Sequence, residues 1–67
     1  MRTFTRPNRL TPGMLLWVES EEFRCKLACR LIRMYRNQRA EVQIIGSLAE
    51  GGNPTVDVFN LYEECFE

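Results

Sequence analysis

The chain has 67 residues, of which 45% are hydrophobic, and its nine basic and nine acidic residues give a formal net charge of zero. A chain this short buries only about 60% of the surface that its unfolded form exposes, so it forms a single domain and association with a second copy would add buried area. This length leaves little room for a substrate pocket with its own supporting residues, and the hydrophobic content is too high for a disordered chain. We therefore expect a small folded protein that is not an enzyme.

The charges are strongly separated along the sequence. All nine basic residues lie between Arg2 and Arg39, and eight of them are arginine. Residues 1–40 contain three acidic residues and carry a formal charge of +6, whereas residues 41–67 contain six acidic residues and carry −6. Because the planar guanidinium group suits carboxylates and phosphates, the arginine bias predicts a recognition surface.

The composition also bears on where the protein is located. The apolar runs are much shorter than the roughly 20 residues that a membrane helix needs, and no apolar segment follows the N-terminal arginines as a secretory signal would require. Three cysteines, an odd number without a dense framework, are typical of a reducing compartment. We expect a cytoplasmic protein that does not bind membranes.

The chain begins with a segment that is poor in strand or helix signals. Pro7 and Pro12 lack backbone donors, and Pro12-Gly13 marks a turn. We predict an N-terminal arm over residues 1–13 and a single small barrel domain over residues 14–67. The five-residue apolar run Met14–Val18 predicts the first strand of that domain.

Residues 20–37 have two interpretations, of which the first is a strand. Apolar and small side chains alternate with mostly basic ones from Phe23 to Leu31, and this alternation slips by one residue at Leu31-Ile32. Unbroken alternation indicates a strand, and the slip indicates a β-bulge that would leave Arg33 and Arg36 outward.

The second interpretation is a helix over residues 20–37. Ser20 is a good N-cap, Glu21 and Glu22 suit the first turn, and Ile32 is the one β-branched residue in the segment. Propensity favours the helix, whereas alternation and the surrounding hairpin turns favour the strand. We predict the strand and keep the helix as the alternative.

The remaining elements complete an outline that is mainly β. Glu41–Ile45 and Thr55–Phe59 predict strands, residues 49–54 predict a loop, and Asn60 predicts the cap of a short terminal helical turn over Leu61–Phe66. This order predicts a small, strongly bent, SH3-like β-barrel, with an α+β fold as the alternative if residues 20–37 are helical. The outline carries no family signature and so does not define a function.

The sequence offers little chemistry. It has no histidine, and Ser20 and Ser47 have no neighbouring base. On a strand, Cys25 and Cys29 would lie roughly 13 Å apart, too far to share a metal ion or a disulfide, so we expect buried apolar thiols, with Cys65 the more exposed. Residues 51–54 lack the spacing of a phosphate-binding loop. We predict no catalytic residue, no cofactor and no metal.

The strongest candidate for function is a basic stripe with aromatic neighbours. It consists of Arg24, Lys26, Arg30, Arg33, Tyr35 and Arg36, with Arg39 beyond it and Trp17 nearby. The same residue types suit a protein interface or single-stranded nucleic acid, and as a plain solvated face they would be partly neutralised by Glu19, Glu21 and Glu22.

The isoelectric point near 6.3 favours the protein interface over nucleic acid. We therefore expect a non-catalytic binding module that is an adaptor, regulator or inhibitor of a larger protein or assembly. The alternative is a small nucleic-acid-binding protein that uses the arginine-rich face.

Overall fold

The chain forms one antiparallel sheet of six strands. In the computed structural model, which describes residues 2–46 and 52–66, the strands are β1 (Arg2–Thr5), β2 (Leu15–Ser20), β3 (Cys25–Tyr35), β4 (Arg39–Ile44), β5 (Thr55–Asp57) and β6 (Leu61–Phe66). A short 3-10 helix, Val58–Asn60, separates β5 from β6, and the strand order is β1-β6-β2-β3-β4-β5. The mainly β prediction is confirmed. The alternative helix over residues 20–37 is wrong, because residues 21–24 form a turn and the strand β3 follows.

The eleven-residue strand β3 joins the two halves of the sheet. It pairs with β2 through Cys25–Arg30 and with β4 through Cys29–Tyr35, so the two ladders overlap only near its middle. The register shifts between Leu31 and Arg33, at the bulge that the sequence predicts. Since a bulge adds one residue, the side chains after it change face relative to the simple alternation.

The core lies on one face of the sheet, here called the inner face. It is a single cluster of seven buried residues from four strands: Leu16, Val18, Cys29, Leu31, Ala40, Val42 and Leu61. A flat sheet without a second layer would leave these side chains in water. They form one buried cluster instead, which requires the sheet to curve around its inner side. The dimensions of 33 × 26 × 20 Å fit such a folded sheet.

The N-terminal segment differs from the predicted arm. Arg2–Thr5 pair with β6 along their whole length, from Arg2↔Phe66 to Thr5↔Glu63. Phe4 anchors the strand, since its ring meets that of Trp17 edge to face with 5.7 Å between centroids. The prediction of an arm without regular structure over residues 1–13 is thus wrong for residues 2–5, where alternating Thr and Phe side chains favour an edge strand.

The C-terminal segment also differs from the prediction. Leu61–Phe66 form the strand β6 between β1 and β2, not a terminal helical turn. The helical turn comes earlier, at Val58–Asn60, where the carboxylate of Asp57 accepts a hydrogen bond from the N–H of Phe59 at 2.9 Å. The strand is favoured because Leu61 enters the core while Tyr62 pairs with Trp17 on the opposite face.

The sheet is open. Its order runs linearly from β1 to β5, and within residues 2–46 and 52–66 no ladder joins these two outer strands. A closed SH3-like barrel is therefore not confirmed, and the fold is a bent open sheet. No helix among these residues is long and apolar enough to cross a membrane.

Two adjacent leucines test this arrangement of the core. Leu16 is fully buried, whereas Leu15 is 58% exposed on the other face. We expect Leu16→Ala to lower the free energy of unfolding by about 3 kcal/mol, because it leaves a cavity in the core. Leu15→Ala should cost less than about 1 kcal/mol. Urea denaturation followed by circular dichroism measures both, and equal costs would contradict the assignment of the two faces.

Candidate partner-binding surface

The face of the sheet opposite the core, here called the outer face, carries four of the six predicted site residues. In β3, Lys26 and Arg30 alternate with the core residue Cys29 and the partly buried Leu27. After the bulge, Met34 pairs with buried Ala40, which puts Arg33 and Tyr35 on the outer face. Without the bulge, these two side chains would point to the inner side. The bulge thus keeps these four side chains of the stripe on one face.

The other two predicted residues lie apart from each other. Arg24 is in the turn before β3 and has a left-handed backbone (φ 55°), and Arg36 is in the turn after it. All eleven residues of β3 lie between these two turns, so Arg24 and Arg36 stand at opposite ends of the strand. The structure therefore does not bring the six residues together into one compact site.

The basic side chains of β3 have partners within the chain. Lys26 Nζ lies 3.3 Å from Glu19 Oε2, and Arg33 Nε lies 3.5 Å from Glu41 Oε1. Arg30 donates to the carbonyl oxygen of Gly13 at 2.7 Å. The partial neutralisation that the sequence predicts is therefore present, with Glu41 as an acceptor that belongs to the acidic half of the chain. Exposed pairs of this kind contribute little to stability.

The carboxylate of Glu41, beside the stripe, contacts three donor side chains. Tyr35 donates its hydroxyl at 2.7 Å, Asn53 donates its amide at 3.3 Å, and Arg33 lies alongside. The hydrogen bond from Tyr35, followed by that from Asn53, lowers the pKa of the Glu41 carboxyl, and the same bond to Glu41 raises the pKa of Tyr35. Tyr35 and Arg33 are thus fixed in position by one carboxylate.

A cluster of aromatic and basic side chains lies on the outer face beyond the stripe. Lys26 Nζ is 4.9 Å from the ring centroids of both Phe4 and Tyr62. Arg6 Cζ is 5.1 Å from the centroid of Tyr62 and 5.7 Å from that of Phe59, and its guanidinium donates to the carbonyl oxygen of Phe59. A cation over an aromatic ring is attracted by the ring's quadrupole, so these contacts fix both cations on the face.

Sequence reasoning missed this cluster because both of its flanks were assigned wrongly. Phe4 and Arg6 fall in the predicted arm, and Tyr62 falls in the predicted terminal turn. The alternation Thr3-Phe4-Thr5 is the local signal for the first strand, as Leu61 followed by Tyr62 is for the last. Phe4 and Tyr62 come close to Lys26 only because β6 pairs with both β1 and β2. No local sequence pattern specifies these pairings.

An apolar row crosses the outer face between the basic groups. Tyr62 pairs with Trp17, Trp17 pairs with Ala28, and the N–H of Ile45 bonds to the carbonyl oxygen of Ala28 at 2.9 Å. The apolar row, Tyr62-Trp17-Ala28-Ile45, therefore spans four neighbouring chain segments, or about 14 Å at the usual strand spacing. Leu15 extends it on β2, where it pairs with Arg30.

The cysteines are distributed differently from the prediction. Cys29 is buried as expected, and burial raises the pKa of its thiol to about 11. Cys25 is the exposed one, whereas Cys65 is half-buried with its Sγ 3.7 Å from Thr5 Oγ1. The expectation that Cys65 is the more exposed is wrong because β6 is an interior strand of the sheet. Among residues 2–46 and 52–66, no group of three Cys, Asp or Glu side chains could hold a metal ion.

Comparison with known proteins gives no relative. No protein family matches the sequence, and neither a curated protein nor a solved structure is detectably similar to the chain.

The cluster around Glu41 predicts a specific pH effect. Tyr35→Phe removes the main cause of the lowered pKa, so the carboxyl of Glu41 should titrate at higher pH in the variant, as followed by side-chain NMR. A lowered carboxyl pKa stabilises the fold above the unfolded pKa, near 4.3, and this contribution disappears as pH falls through the folded pKa. The difference in free energy of unfolding between wild type and Y35F should therefore become smaller as the pH falls from the unfolded pKa of Glu41 through its folded pKa.

The matched control for this titration is Tyr62→Phe, which lies across the sheet from Glu41. It should leave the titration of Glu41 unchanged. If Y35F and Y62F gave the same titration curve, the hydrogen bond would not control this carboxyl.

The three thiols should react at different rates. An aromatic disulfide reagent should label Cys25 first and Cys65 more slowly, and it should label Cys29 only as the protein unfolds, because the reactive thiolate is suppressed there by burial. Mass spectrometry of timed samples gives the order. Labelling of Cys29 as fast as Cys25 in the folded protein would contradict the core assignment.

Proposed function

We propose that this chain is a non-catalytic binding module, an adaptor, regulator or inhibitor of a larger protein or assembly, and that its outer face is the contact surface. The observation that carries the proposal is the apolar row with basic groups beside it. Leu15 at its edge is 58% exposed and Ile45 at its end is 43% exposed. In the part of the chain that the structure describes, no helix or second sheet covers this face.

The composition of the outer face favours a protein partner over nucleic acid. Aromatic and arginine side chains with an apolar centre are enriched in protein interfaces. A phosphate track needs a run of uncompensated cations, but Lys26 and Arg33 each lie beside a carboxylate, and the chain as a whole is neutral. Nucleic acid remains the second candidate, supported by the mixture of basic and aromatic groups around Tyr62.

Other features agree with a small intracellular module. All three cysteines are free, which supports a reducing compartment such as the cytoplasm. The chain has no histidine, the commonest acid–base group of active sites, which supports a function without acid–base catalysis. A sheet that bends around one core supports the SH3-like outline.

Affinity capture tests the proposal. The immobilised domain and an Arg30→Glu/Arg33→Glu variant are each exposed to extract from the source cells, with and without nuclease. We expect a protein that wild type retains after nuclease treatment and that the variant loses at least about tenfold, because two interface cations are reversed. Circular dichroism confirms that the variant is folded.

A parallel titration with fluorescent single-stranded RNA and DNA decides between the two candidates. Weak binding with a shallow dependence on salt supports the protein interface. Tight binding that falls steeply with salt, together with captured material that nuclease removes, would replace it with the nucleic-acid function.

A further inference from the structure

We propose that the outer face recognises a protein segment in extended conformation that presents carboxylates beside large apolar side chains. This inference rests on the proposed function and names the chemistry of the partner. It follows from where the apolar row and the cations lie relative to one another.

The apolar part of the surface is long and narrow. The row Tyr62-Trp17-Ala28-Ile45 has small Ala28 between larger side chains, and Leu15 broadens it. Because Ala28 is small and lies between the larger Trp17 and Ile45, this position suits one large side chain of a partner. Such a contact gains free energy from burial of apolar surface that is now exposed at Leu15 and Ile45.

Three cations lie around this row with their positions fixed. Arg6 and Lys26 sit over the rings of Tyr62 and its neighbours. Arg30 pairs with Leu15 across β2 and β3, and its bond to Gly13 uses one of the five guanidinium N–H groups. Side chains that are already ordered lose less entropy when a partner binds them.

The charge on this face is positive overall but not strongly so. Next to the row, Glu19 lies beside Lys26 and Glu64 pairs with Phe4, so two acidic residues stand against the three cations there, while Arg33 and Glu41 farther along the face offset each other. This balance suits a partner with a few carboxylates placed at the edges of an apolar contact. It does not suit a polyanion, whose binding grows with the number of cations that it contacts.

The aromatic rings argue for carboxylates over nucleobases. Phe4, Phe59 and Tyr62 each have a cation within 6 Å of the ring centroid. A base that stacked on these rings would have to displace those cations, whereas a carboxylate can bind the cations where they lie. The aliphatic side chains of Leu15 and Ile45 at the edge of the row offer contact to apolar groups and no stacking surface.

The experiment uses the chain's own fluorophore. Trp17 is the one tryptophan of the sequence and lies in the row, so its emission reports on a ligand there. The probes are three eight-residue peptides with serine at every second position, so that the other four side chains share one face when the peptide is extended. Those four alternate glutamate with leucine, lysine with leucine, or glutamate with serine. We expect the first to shift the emission of Trp17 and to bind at least about tenfold more tightly than the other two. The second peptide lacks carboxylate side chains, and the third lacks large apolar side chains.

Matched variants locate the binding site. Phe23 in the β2–β3 turn and Ile45 in the row are both 43% exposed, so Phe23→Glu is the control for Ile45→Glu. Arg36→Gln is the control for Arg30→Gln. We expect Ile45→Glu and Arg30→Gln to weaken binding of the glutamate–leucine peptide about tenfold and about threefold respectively, while both controls stay within about twofold of wild type.

Several results would overturn the inference. Equal or tighter binding of the lysine–leucine peptide would reverse the charge assignment, and equal effects of Phe23→Glu and Ile45→Glu would remove the site from the row. Quenching of Trp17 by oligothymidine, steeply dependent on salt, would point to nucleic acid. If none of the peptides bound while affinity capture still gave a protein, the partner chemistry would be wrong and the binding-module function would stand.

Discussion

The long strand β3 and its bulge are the constraint on which the rest of the structure depends. Within residues 2–46 and 52–66 the one helix has three residues, so no helical layer covers the sheet there and the core must be enclosed by the sheet itself. β3 makes this possible because it pairs with β2 through its first half and with β4 through its second half. The register shift between Leu31 and Arg33 lies where one ladder gives way to the other. A bulge at that place increases the local twist and lets the strand bend.

The same bulge links the fold to the proposed function. It returns Met34 to the inner side, opposite Ala40, and returns Arg33 and Tyr35 to the outer side, in line with Lys26 and Arg30. The chain thereby separates its two kinds of side chain: the inner face has a fully apolar core, and the outer face has cations fixed by rings and carboxylates. The +6 and −6 halves of the sequence meet on this outer face, where Glu41 binds Arg33 and Tyr35.

Local sequence patterns predict the central strands of the chain correctly but not the strands near its two termini. The alternation from Phe23 to Leu31 and its slip at Ile32 predict β3 and the bulge correctly, although helix propensity argues against a strand there. The edge strand β1 and the interior strand β6 were missed because each is stabilised mainly by the other and by β2. Pairing over some 60 residues of sequence depends on tertiary contacts, which no short window contains. For the same reason, the contacts of the Phe4 and Tyr62 rings with the Lys26 ammonium group could not be predicted.

The candidate surface shows a similar division. The alternation of β3 places Lys26 and Arg30 on one face, and the bulge adds Arg33 and Tyr35. Arg24 and Arg36 are instead in the two turns at opposite ends of the strand, so the row and the cations around Trp17 are a more compact site than the predicted stripe.

The most direct test of a core face and a separate recognition face is an NMR titration of the ¹⁵N-labelled domain with the glutamate–leucine peptide. The account predicts that the largest shifts fall on the outer-face residues Leu15, Trp17, Ala28 and Tyr62 and on the indole N–H, with small shifts at the turns that hold Arg24 and Arg36. Largest shifts at those turns, or no shifts on the outer face at millimolar peptide, would contradict it.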